Sequence, residues 1–243
     1  MPPHEILEET RRDQLGIVYR ARDPARDAFV LLHAANLAEA AEGAARFLQE
    51  VRAAARLRLP CVLPIRDAGV YDRRPCFTTD LPPQTRLSNQ RERFADPRAA
   101  AGLVEKLARG VAAAHAHGLV HGHLQSDIIY LDADGQPLID FFTLPFFLHL
   151  PTGSAAAADV SSLGVVLYEL LAGRNPSVGL PPELEAVVLC CLQKRPDDRY
   201  PSARALAEDL EHWLRAEPTV ARPMPWWRRA LSDLWQRYRR NAR

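Results

Sequence analysis

The sequence predicts an α+β chain in two parts, a small strand-rich part followed by a mostly helical one. Up to Pro82-Pro83 the apolar residues come in short runs separated by turn residues, apart from one Ala-rich helical stretch. From Pro97 onward they fall at helical spacing, in stripes that end at glycine or restart at proline. The composition fits a folded chain with a sizeable core. Of 243 residues, 47% are hydrophobic and 25% charged, which excludes disorder of the whole chain.

Gly16-Ile17-Val18-Tyr19 and Phe29-Val30-Leu31-Leu32 read as two strands around a turn at Asp23–Asp27. Residues 37–58 read as a helix with Phe47, Val51 and Ala54 on one face and Glu50 beside them. Short strands are expected near 61–66 and 75–80. Leu103, Leu107 and Val111 keep one stripe through a helix over 97–117, which Gly118 stops. Asp132-Ala133-Asp134-Gly135 is a turn between two paired strands. Asp159 is expected to cap a helix carrying Leu163, Val166, Leu167, Leu170 and Leu171, with Gly173 as its stop. Pro181-Pro182 start a helix through Leu192, and Ser202 caps another through Leu214. The expected domains are 1–81, the strand-rich part, 82–215, the helical part, and 216–243, a basic tail.

Lys plus Arg is 31 and Asp plus Glu is 30, a net charge of +1 that excludes a generally basic nucleic-acid binder. Only two of the basic residues are lysines, Lys106 and Lys194, so any chemistry that needs a lysine amine must use one of them. Cys61, Cys76, Cys190 and Cys191 show no CxxC spacing and read as free thiols of a reducing, cytoplasmic compartment. The first residues, MPPHEILEETRR, lack the apolar core expected of a signal peptide, and no run approaches the roughly 18 apolar residues that a membrane-spanning helix needs.

Five segments, in order, resemble the bacterial-type (Hanks-type) Ser/Thr protein kinase domain over about residues 5–215. Gly16–Asp23 looks like the strand that closes the glycine-rich loop, and Glu50 in QEVRAAARLRLP looks like the glutamate of the small-lobe helix. AHAHGLVHGHLQSDIIYLDADGQPLIDFF (114–142) is similar to the catalytic loop and metal-binding motif, DVSSLGVVLYELLAGRNP to the large central helix, and 180–214 to the closing helices. The resemblance implies a two-lobed protein-kinase-like fold. Only 18 residues separate Asp140 from Asp159, and RNPSVG alone links two large-lobe helices. A shortened activation segment and no substrate-docking helix in the large lobe are therefore expected.

By the same resemblance, the positions that carry the chemistry are altered. His33 stands where the phosphate-binding lysine is expected, with Glu50 its retained partner, and a His33–Glu50 pair is expected to tie strand to helix. In the catalytic loop His121 is kept, His123 replaces the base aspartate, Gln125 the lysine and Ile128 the second metal ligand. Asp140 keeps the metal-binding position. Leu31 and Tyr130 add bulk where a purine would lie. The expectation is a pseudokinase that is not an enzyme, with no catalytic residues, no metal and no ATP or magnesium binding. Its function would be that of a regulatory or scaffolding module for protein partners not identified by the sequence, and not for nucleic acid. The alternative is a nucleotide-binding or weakly active Ser/Thr kinase that has moved its lysine and base elsewhere; His123 has the intrinsic pKa of a general base, but a base without phosphate binding supplies only about 10²–10⁴-fold. The pairs His115/His117 and His121/His123 read as structural rather than zinc-binding, since no cysteine stands beside them.

From Arg222 onward seven arginines face one aspartate. Trp227, Leu231, Trp235 and Tyr238 fall on one helical face, with Trp226, Arg228, Arg229, Arg239 and Arg240 around it. This tail is expected to lie on an anionic membrane surface, which would place the chain peripherally at the inner face of the membrane, to dock in a partner's groove, or to fold back onto its own acidic domain.

Overall fold

The structure, a computed structural model, describes residues 4–12, 16–36, 41–122, 124–139, 152–172 and 180–221. It divides into two compact units, Met1–Gln84 with Tyr130–Phe141, and Thr85–Ile129 with Phe142–Arg243.

In the first unit β1 (Glu5–Arg12), β2 (Gly16–Asp23), β3 (Ala28–Ala35), β4 (Ile65–Tyr71) and β5 (Arg74–Asp80) form one antiparallel sheet in the order β1-β2-β3-β5-β4. Residues opposite one another in register share a face. On one face Val18, His33 and Phe77 form a rung, and Arg20, Leu31 and Thr79 form the next. Helix α1 (Ala41–Ala54) lies against β4 and β5, with Phe47 6.2 Å from the Phe77 ring. The other face buries Ala21, Val30, Leu32, Ala34 and Cys76 under Ile6, Tyr19 and Tyr71.

The turn at Asp132 joins β6 (Ile129–Leu131) and β7 (Pro137–Ile139) as expected. Asp132 Oδ1 accepts the backbone N–H groups of Asp134 and Gln136 at 3.0 and 2.7 Å, and Gly135 takes φ 76°. One expected strand is displaced. The sheet strand begins at Ile65, while residues 61–63 run alongside β7: Leu63 N donates to Ile139 O at 3.0 Å and Ile139 N to Cys61 O at 2.7 Å. Those apolar residues are spent on the hairpin rather than on the sheet.

The second unit is helical. Helix α2 (Pro97–Ala116) starts on Asp96, whose side chain accepts from Arg98 N and Ala99 N. Helices α3 (Thr152–Ala172) and α5 (Ala203–Leu214) pack on α2, and α4 (Pro182–Cys191) packs on α3 and α5. Ser202 caps α5 by accepting from Ala205 N at 3.1 Å. Leu163, Val166, Leu167 and Leu170 are fully buried, as their stripe requires. Asp159, however, does not cap α3. The helix begins at Thr152, and Asp159 lies in its third turn, fully buried. The expected stop at Gly173, the segments 141–151 and 174–179, and the basic tail lie outside the described residues.

Candidate functional site

In the first unit, His33 sits in the middle of β3 and is 6% exposed. Its ring stacks on Phe77 with centroids 4.5 Å apart and planes within 2°, and its Nε2 lies 3.2 Å from Thr79 Oγ1. The expected His33–Glu50 pair gives way to a different one: Glu50 Oε1 accepts from Arg46 Nε at 2.9 Å, one helical turn away. The second oxygen, Glu50 Oε2, is buried without a hydrogen-bond partner. The reason is chemical. An imidazole can fill the sheet interior as a flat ring, which a lysine amine cannot, and the His33 ring takes its neighbours from the next strand. Leu31 and Tyr130 are both buried, at 6% and 7% exposure.

The second unit carries the loop 121–128. Its start is held by Asp159 of α3. Oδ2 accepts from His121 N at 2.9 Å, and Oδ1 from Gly122 N at 2.6 Å. His115, near the end of α2, places Nε2 2.7 Å from the same Oδ2. One carboxylate thus takes two loop amides and a histidine, which accounts for an acid with no exposed surface. Gln125 is exposed and Ile128 half-buried, and Ile128 N donates to Gln125 O at 3.2 Å, closing a turn. His123 and Asp140 lie outside the described residues, as do Trp226, Trp227, Arg228, Arg229, Leu231, Trp235, Tyr238, Arg239 and Arg240.

The role of Asp159 was not legible, because an aspartate before an apolar helical stripe has the same sequence signature whether it caps or is buried. The Ala-rich stretch 155–158 just before it was the available signal that the helix starts earlier. Arg199 is a further case. Its guanidinium donates to the backbone carbonyls of Gln193 and Ala157 at 2.8 and 3.0 Å, partners that the sequence does not name. Among the described residues no group of His, Cys, Asp or Glu is placed to hold a metal ion, and no helix is long and apolar enough to cross a membrane.

No protein-family model matches the chain. It is similar to the serine/threonine-protein kinase PkaB of Streptomyces coelicolor, 29% identical over 248 residues that cover 81% of this chain and 59% of that protein. The serine/threonine-protein kinase PknL of Mycobacterium tuberculosis is 28% identical over 217 residues, covering 68% of this chain and 54% of its own length. The chain therefore spans little more than half of these curated relatives. A crystal structure of the Mycobacterium tuberculosis PknI kinase domain superposes with a TM-score of 0.63 at 23% identity, covering 86% of this chain and 95% of that one. That likeness establishes an α+β fold of the protein-kinase type. The relatives also correct one expectation. The altered positions suggest a pseudokinase that is not an enzyme, yet proteins aligned over most of the chain are named as kinases. Replacing a contact at His33, Gln125 or Ile128 lowers a rate by a finite factor and does not by itself abolish a reaction.

Proposed function

Since the chain is a relative of the bacterial Ser/Thr protein kinases and has their fold, we propose that it is a Ser/Thr protein kinase domain of low activity, which binds a nucleotide weakly and transfers its terminal phosphate slowly. The observation that carries this reading is the grip of Asp159 on the amides of His121 and Gly122. Phosphoryl transfer is mostly positioning and electrostatic stabilisation, and an anchored loop is the positioning half of that requirement. The electrostatic half is thinner, because His33 and Gln125 replace two cations and Ile128 offers no oxygen to magnesium. Asp140 would hold the metal together with the phosphate oxygens, and His123 would take the proton of the attacking hydroxyl.

The test is incorporation of labelled phosphate from ATP, with magnesium or manganese, into the protein itself and into Ser/Thr peptides. Slow incorporation that is lost in Asp140→Asn and reduced in Asp159→Asn is expected. Wild-type incorporation no greater than that of Asp140→Asn at millimolar ATP overturns the reading.

A further inference from the structure

The far end of the same loop has a second attachment. Ser126, 5% exposed, donates its hydroxyl to Glu169 Oε2 on α3 at 2.7 Å. Arg91, in the 3-10 turn Arg91–Phe94, donates Nη2 to Ser126 Oγ and to the same Glu169 oxygen, both at 3.3 Å. The backbone carbonyl of Ser126 accepts from Ser88 N at 3.0 Å. Two separate segments, α3 and the consecutive 3-10 turns of residues 87–94, thus converge on one residue at the corner of the Gln125–Ile128 turn. The hydroxyl-to-carboxylate distance is in the range of a charge-assisted bond, and the Arg91 guanidinium balances the Glu169 charge.

Asp159 and Glu169 are ten residues apart on α3, about 15 Å along its axis. The chain from Gly122 to Ser126 can span at most about 14 Å. The residues between the two anchored positions in the chain are His123, Leu124 and Gln125. We infer that Ser126, Glu169 and Arg91 form a second clamp that positions the catalytic loop, so that α3 fixes it at both ends. Ser126 is a positioning residue, which acts through the loop and not on a substrate. Its catalytic consequence rests on the kinase reading above, but the clamp itself does not, so it is tested by a measurement that needs no activity.

Hydrogen exchange of peptides covering 119–129 is followed in the full chain and in Ser126→Ala, Ser126→Thr, Glu169→Gln and the double variant Ser126→Ala/Glu169→Gln, alongside their melting temperatures. Loss of a buried hydrogen bond to a charged group is expected to speed exchange of the amides 124–128 about tenfold or more. Exchange at 121–122, which Asp159 holds, should change much less. Ser126→Thr keeps the hydroxyl and should restore protection. The double variant should be no faster than either single one, since both break the same link. Unchanged exchange at 124–128 in Ser126→Ala overturns the inference. So do effects of the two single variants that simply multiply, or loosening spread evenly over the whole unit. Phosphate transfer measured on the same variants is a separate question: a loosened loop with no detectable transfer in the wild type leaves the clamp standing and counts against the kinase reading.

Discussion

Asp159 and Asp209 are each at most 1% exposed, and each fills its oxygens with backbone amides and one side chain. Asp209 accepts from Val220 N at 2.5 Å, Ala221 N at 3.1 Å and the Tyr200 hydroxyl at 2.5 Å. It thereby pins the chain where it reverses after α5, a reversal that puts Ala216 at φ 59°. Asp209→Ala leaves two buried donors, the Tyr200 hydroxyl and Ala221 N, unpaired and releases the partly buried Val220 N, and about 3 kcal/mol should be lost. A melting point lower by at least about 6 °C is the expected result, and a shift under 2 °C would show that water replaces the carboxylate freely. Burial pushes the Cys76 thiol up to about 11 from 9.0, and burial with the Asp209 hydrogen bond also raises Tyr200. Both groups hold their protons more tightly when folded. Their contribution is therefore complete below the unfolded pKa values, about 9 and 10, and is lost as pH rises beyond them. The urea midpoint should be level between pH 7 and 8.5 and fall above pH 9, with a shallower fall in Cys76→Ala. A midpoint that stays level to pH 11 contradicts this.

At the scale of elements, α3 is the axis of the second unit, and its contact with α4 depends on a missing side chain. A Cβ built on Gly164 would stand 2.3 Å from Cys191 Cβ. Gly164→Ala must push the helices apart, at about 1–3 kcal/mol and about 2–12 °C in melting temperature. Cys191→Ala should not rescue it, because alanine keeps the offending Cβ; rescue by that change would place the clash on the sulfur instead. Helices α4 and α5 were legible because stripe, proline and cap agree, as Pro182 and Ser202 illustrate. Strand β1 was not. EILEETRR is an edge strand with most side chains in solvent, so it carries no apolar alternation to read. Asp67 and Gly69 likewise masked β4, a strand whose register shifts between Ile65 and Asp67. For the candidate site, sequence named the positions, but it could not reveal their partners. That Glu50 binds Arg46, and that Asp159 grips a loop 38 residues away, depends on packing between distant elements.

Over the whole molecule, nucleotide binding has to work with few cations of the right kind. Neither lysine is in the first unit, since Lys106 lies on α2 and Lys194 follows α4. Relative to a kinase with both phosphate-binding lysines, two charge-assisted contacts are missing, at about 1.5–3 kcal/mol each. Affinity should be lower by about two to four orders of magnitude. A ligand at ten times its Kd stabilises by about 1.4 kcal/mol, so even millimolar ATP with magnesium should raise the melting temperature of the wild type by only a few degrees. The deficit is expected to be partly reversible. His33→Lys returns a cation to β3, and Glu50 Oε2, buried on α1 without a donor, is an acceptor available to it. The substitution sacrifices the stack on Phe77 and the contact with Thr79, so the unliganded protein should melt lower than the wild type. The ATP-dependent shift of His33→Lys should nevertheless exceed that of the wild type. The two measurements separate stability from binding, because the first is made without nucleotide and the second is a difference within one protein. A His33→Lys protein that folds, melts cooperatively and shows no shift with any nucleotide, next to a wild type that also shows none, would mean that the missing lysine is not what limits binding, and the proposal of a nucleotide-using kinase would fall with it.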